Sequence, residues 1–115
     1  MNIPLAVIGF SVSDLFVSQR WYDLFFARGP DVLVSDDEVM WQMNEHARLF
    51  IVKTEPIRRC ANVVLVAENL NDALAAPAQQ EIEPRDVEVI DGDGRKAYFH
   101  DPDRNEIVLA EIYSQ

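Results

Sequence analysis

Few side chains of this chain could do chemistry, and several of them fall close together near its end. Tyr98, His100 and Glu106 put a phenol, an imidazole and a carboxylate within one hairpin's length. That combination suits general acid–base work or polar ligand binding. A metal held by the only two histidines, His46 and His100, would need a carboxylate such as Glu106 or Glu111. Strand alternation points those two carboxylates to opposite faces. The single Cys60 excludes an intrachain disulfide and a thiolate zinc site, and it fits a reducing compartment. Trp41 follows the acidic turn Asp36-Asp37-Glu38, with Met43 on its face of the strand. An indole beside carboxylates can stack a planar cation, a contact contributing about 0.5–2 kcal/mol. Asp91-Gly92-Asp93-Gly94 lacks the further ligands and distal glutamate of a calcium loop and reads as a hairpin turn. No Ser-His-Asp order, Walker loop or dinucleotide fingerprint is present.

Charge narrows the partners. Lys and Arg number 10 against 20 Asp and Glu, a formal charge of −10. Such a field repels a polyanion, so nucleic acid is excluded, and it attracts a cation. The longest apolar runs, such as Val63 to Ala67, fall far short of the roughly 20 residues of a membrane helix. Met1-Asn2-Ile3-Pro4 has no basic flank of a secretory signal. A cytoplasmic protein without membrane contact is the expectation.

The elements that must position these residues follow from periodicity. Leu5 to Val12 reads as a strand, and Ser13 or Asp14 can cap a helix over Leu15 to Arg28 that stops at Gly29-Pro30. Leu15, Tyr22 and Phe26 form its apolar stripe, and Trp21 belongs to the core beside them. Strands are expected at Asp31 to Ser35, Val39 to Met43 and Arg48 to Lys53, and a connector at Thr54 to Cys60. The order then repeats: strand Asn62 to Ala67, cap Glu68-Asn69, helix Leu70 to Gln80 with Pro77 as an interruption, and strands Arg85 to Ile90, Arg95 to His100 and Glu106 to Tyr113. Laying Val7 on Asn62 also lays Asp14 on Asn69 and Leu15 on Leu70, which makes an internal duplication plausible. At 115 residues the chain has room for one core and one domain. The expected fold is α+β: two tandem βαβββ modules, about residues 5–55 and 61–113, forming a curved mixed sheet with helices on the outer face.

This duplicated order, the junction Val12-Ser13-Asp14-Leu15, the pair Trp21-Tyr22, and above all Tyr98-Phe99-His100-Asp101-Pro102-Asp103-Arg104-Asn105 resemble the glyoxalase, bleomycin-resistance and extradiol-dioxygenase superfamily, the vicinal oxygen chelate proteins. The resemblance implies a metal on the concave sheet, with ligands falling at Val7, Asn62 and Val108. Valine has no donor atom, and Asn62 alone could not hold a divalent ion, so no metal, no cofactor and no catalytic residue are expected. Arg104 stands where the family's turn often has glycine, which strains it if the turn keeps a positive φ.

Family register turns Phe99 toward the helices and Tyr98 and His100 toward the cavity, whose walls would include Val7, Gly9, Ser11, Asn62, Val64, Val66, Glu106, Val108, Ala110 and Ile112. The expected ligand-binding residues are Trp41, Met43, Asn62, Tyr98, His100, Glu106 and Val108. By likeness to metal-free bleomycin-resistance proteins, the chain is expected to form a homodimer. It would sequester a bulky, aromatic, cationic small molecule such as an antibiotic. The alternatives are a lyase, isomerase or dioxygenase with altered or absent metal ligands, and a protein-interaction module.

Overall fold

A computed structural model describes residues 1–55 and 60–113. Part of the expected connector, Pro56 to Arg59, lies outside the described residues. The order is β1 (Ala6–Val12), α1 (Leu15–Phe26), β2 (Val32–Ser35), β3 (Glu38–Asn44), β4 (Ala47–Lys53), β5 (Asn62–Val66), α2 (Leu70–Gln79), β6 (Asp86–Ile90), β7 (Gly94–His100) and β8 (Glu106–Ile112). Each βαβββ half makes its own four-stranded sheet, in the orders β1-β4-β3-β2 and β5-β8-β7-β6. The first strand of each half runs parallel to its last, and the remaining pairs are antiparallel. The sheets are therefore mixed, and the duplicated α+β architecture is as the sequence implies.

Local chemistry explains the helix bounds. Asp14 accepts from Val17 N and Asn69 from Asp72 N, each satisfying a free amide at a helix start. Ala27 takes a left-handed φ of 61° and ends α1 two residues before Gly29, so the helix is shorter than expected. Pro77 does not break α2. It sits in the last turn, where its missing N–H deletes a single bond, and the carbonyls of Pro77 and Ala78 accept from Gln80, Glu81 and Ile82.

The core lies between the sheets and the helices. Tyr22, fully buried on α1, stacks near Phe10 of β1 and Trp41 of β3, while Phe25 meets Phe99 of β7 edge-on at 5.1 Å. Burying each such side chain contributes about 1.5–3 kcal/mol. One helix thus packs on both modules. Trp21 stacks on Phe25 at 5.0 Å at the margin of this core, as its helical position implied.

A polar buckle joins the same two modules. Asp101, only 4% exposed, accepts from four donors: Tyr22 Oη at 2.7 Å, Asn105 Nδ2 at 2.9 Å, Asp103 N at 2.9 Å and Asn105 N at 2.8 Å. Asn105 Nδ2 also donates to Ser11 O, and Asp103 accepts from Ser13 N and Oγ. Burial, and then the Asp101 charge, push the Tyr22 phenol far above its ordinary range. The turn after Asp103 does keep a positive φ, with Arg104 at 68°.

Candidate functional site

Strand alternation gives each sheet a helix-facing side and an opposite, concave side. On the second module the concave side carries three cross-strand rows: Asn62, Glu106 and His100; then Val64, Val108, Tyr98 and Asp86; then Val66, Ala110, Lys96 and Glu88. The structure therefore brings together Asn62, Tyr98, His100, Glu106 and Val108. Phe99 and Ala97 point the other way, into the core. Glu111 likewise leaves the face of Glu106; it accepts from Leu70 N at 3.0 Å and pairs with Arg95 at 3.1 Å.

Toward the β6 edge of this face, Arg85, Asp86, Glu88, Tyr98 and Glu106 line a hollow of about 260 Å³. Tyr98 Oη donates to Glu88 Oε1 at 3.3 Å. Its phenol is held above the ordinary tyrosine range by desolvation and then by the charges of Glu88, Glu106 and Asp86, which marks a local negative field. His100 Nε2 lies 3.1 Å from Arg85 Nη1 and 3.6 Å from Glu106 Oε2. A guanidinium only donates, so with the Arg85 bond in place Nε2 is the acceptor and the ring proton sits on Nδ1. The same nitrogen cannot donate to Glu106 at that moment.

An apolar hollow of about 320 Å³ adjoins along the strands, lined by Val64, Ile90, Gly94, Ala110 and Ile112 with Lys96, Asp93, Arg95 and Glu111. Sequence reasoning named its Val64, Ala110 and Ile112 as walls, but did not name Arg85, Asp86 or Glu88 of the hollow at Tyr98. The alternation of Asp86, Glu88 and Ile90 opposite Tyr98, Lys96 and Gly94 was the available signal. A further hollow, about 630 Å³, is open and lies by the start of α1, lined by Asp14, Phe16, Asp36, Asp37, Lys53 and Glu55 among others. None of the expected ligand-binding residues lines it.

Two expected site residues are misplaced by the sequence reading. Trp41 is 0% exposed and packs against Tyr22 and Phe26, with its Nε1 donating to Arg28 O. Met43 shares that helix-facing side and packs against the core. Val39 and Trp41 of β3 lie opposite Ile51 and Leu49 of β4, the more apolar of the two possible faces, and burial of that face fixes the direction. The indole therefore offers no surface to a ligand.

The residues at the family's ligand positions do not fit a divalent metal. Val7 and Val108 present hydrocarbon, and Asn62 stands alone with one amide oxygen. Among the described residues no group of three or more His, Cys, Asp or Glu side chains is placed to hold a metal ion. No described helix is long and apolar enough to cross a membrane.

No family model and no curated protein matches the chain. Solved structures do. A glyoxalase / bleomycin resistance protein from Catenulispora acidiphila DSM 44928 is 26% identical over 93% of this chain and 96% of its own, with a TM-score of 0.88. A lactoylglutathione lyase from Agrobacterium tumefaciens is 14% identical, covering 93% of this chain and 92% of its own at a TM-score of 0.74. The fosfomycin resistance protein FosX from Mesorhizobium loti is 16% identical, covering 96% and 93% at a TM-score of 0.68. The last two are likenesses of fold.

Proposed function

The chain has the vicinal oxygen chelate fold of these proteins, and from that premise we propose that it is a non-enzymatic binding protein. It takes up an aromatic, cationic small molecule of the antibiotic kind on the concave face of the second module. The reading extends to a homodimer, whose second copy closes the hollow, in a reducing cytoplasm. One observation carries it: three carboxylates, Asp86, Glu88 and Glu106, line a single hollow with Tyr98 against the one guanidinium of Arg85. The ring supplies a π face and the carboxylates supply the charge preference. At contact distance one carboxylate–cation pair contributes about 1 kcal/mol in water and about 4 at the effective dielectric of a protein surface. Asn62 and His100 supply polar groups at the rim, and Val108 packs beneath Tyr98.

The test is a titration of the protein with ethidium and with a neutral phenanthridine, followed by ligand fluorescence at low and high salt. Saturable ethidium binding that weakens with salt and is lost in Glu88→Gln/Glu106→Gln supports the reading. Equal binding of the neutral compound removes its electrostatic part.

A second reading, an enzyme without the usual metal, is favoured by the contact of His100 with Glu106 and Arg85. The imidazole can act as a general base once the Arg85 guanidinium leaves its Nε2 lone pair free. This second reading requires turnover of lactoylglutathione or fosfomycin that disappears in His100→Ala.

A further inference from the structure

The first module's concave face differs in charge from the second's. Its central rows are Val7, Arg48 and Gln42, then Gly9, Phe50 and Met40. Arg48 takes part in no ion pair among the described residues, although acidic side chains outnumber basic ones two to one in the chain. Its Nε is shielded from solvent yet has no hydrogen-bond partner among the described residues. A buried donor on a charged group is costly to leave unpaired, so the position makes sense when an acceptor arrives from outside the chain.

The surroundings specify that acceptor. A guanidinium presents a planar fork of N–H donors whose geometry matches a carboxylate bidentately. Gln42, exposed and directly opposite on β3, adds an amide. Beside them the Phe50 ring lies against β1 at Gly9, where an added Cβ would come within 2.0 Å of Phe50 Cζ. Only glycine lets the ring lie so close, and the result is an apolar, aromatic surface next to the guanidinium. Glu38, the acidic residue on this face of β3, pairs with Val52 and lies a full row beyond Phe50.

We infer that Arg48, Gln42 and Phe50 form a binding site for a small organic anion, a carboxylate carried on a flat apolar body. The site lies on the other module from the hollow around Tyr98 and takes the opposite charge. It stands whether or not a cation binds there.

The probes are benzoate, its neutral analogue benzamide, and benzylammonium, titrated into isotope-labelled protein while backbone amide shifts are followed. Benzoate is expected to shift amides of β1, β3 and β4 saturably, with benzamide and benzylammonium at least roughly tenfold weaker. Arg48→Gln abolishes the benzoate response, and Arg48→Lys, which keeps charge but not the fork, gives an intermediate affinity. If Arg48→Gln fails to fold, the wild-type comparison of benzoate with benzamide decides alone. Equal titration by benzoate and benzamide overturns the inference, as do shifts confined to the second module or a benzoate affinity unchanged in folded Arg48→Gln. Sedimentation of the variants covers the remaining occupant: loss of a dimer in Arg48→Gln, with no benzoate binding in wild type, would assign the guanidinium to a second copy instead.

Discussion

Asp101→Asn is the sharpest test of how the two modules are held together. The carboxylate uses all its acceptor capacity: Oδ2 takes Tyr22 Oη and Asn105 Nδ2, and Oδ1 takes the backbone amides of Asp103 and Asn105. An asparagine keeps the shape but has one acceptor oxygen, and its NH2 must face two donors wherever it points. Two hydrogen bonds to a charged acceptor are lost, each about 1.5–3 kcal/mol, so the expected destabilisation is about 3–6 kcal/mol. A domain of this size holds about 5–15 kcal/mol in total, so the variant should sit near its unfolding threshold. Urea unfolding at neutral pH, read by tryptophan fluorescence, measures the change. Tyr22→Phe removes one of the four donors and should cost about 1.5–3 kcal/mol, and the double variant should cost less than the sum because both changes act on one hydrogen-bond network. A loss below about 1 kcal/mol in Asp101→Asn, or strict additivity with Tyr22→Phe, would refute the buckle as the element joining the halves.

Three further outcomes follow from the packing. Trp41→Ala should destabilise by about 3–5 kcal/mol through a core cavity, and iodide should quench Trp41 poorly in the wild type, since the indole is fully buried. Arg104→Gly relieves a left-handed φ of 68° and should raise stability by about 0.5–1 kcal/mol after the entropy cost of glycine, measured by thermal unfolding. Glu111 is held below the usual carboxylate range by the Leu70 amide first and then by Arg95. A depressed folded pKa gives stability that is present above the unfolded value, about 4.3, and lost as pH falls through the folded one. Glu111→Gln should therefore flatten the acid limb of the stability profile below about pH 5.

Much of the fold was legible in the sequence because it rests on local rules. Asp14 and Asn69 announce helix starts by type and by their place before an apolar stripe, and Asp91-Gly92-Asp93-Gly94 announces the β6–β7 hairpin. The facing of Tyr98, His100 and Glu106 was expected too, since alternation leaves only two choices and the family resemblance puts Phe99 on the core side, where it is buried. Trp41 was misread because the same alternation does not by itself say which face a helix will cover. The deciding fact is the match of Val39 and Trp41 with Ile51 and Leu49 across strands, a register that forms only in the folded sheet. The role of Asp101 and Asn105 was hidden for a related reason. Their partners Tyr22 and Ser11 lie far off in sequence, and only the docking of one module on the other brings them within reach.

The concave faces link binding to assembly. Val7, Val64, Val66 and Ile112 are 48%, 51%, 60% and 49% exposed, and all lie on the side of their sheets that the helices leave bare. Exposed apolar side chains grouped on one face of a sheet mark an interaction site. On the proposed reading, a ligand resting at Tyr98 or Arg48 would cover part of it, and a second copy would cover more. If the hollow is closed by a second copy, anything that binds the closed form pulls monomers into dimers by mass action, so the apparent dimer affinity must rise with ligand concentration. Ligand binding that leaves the sedimentation coefficient unchanged at every protein concentration would separate the two processes and leave the valines as the wall of a monomeric groove.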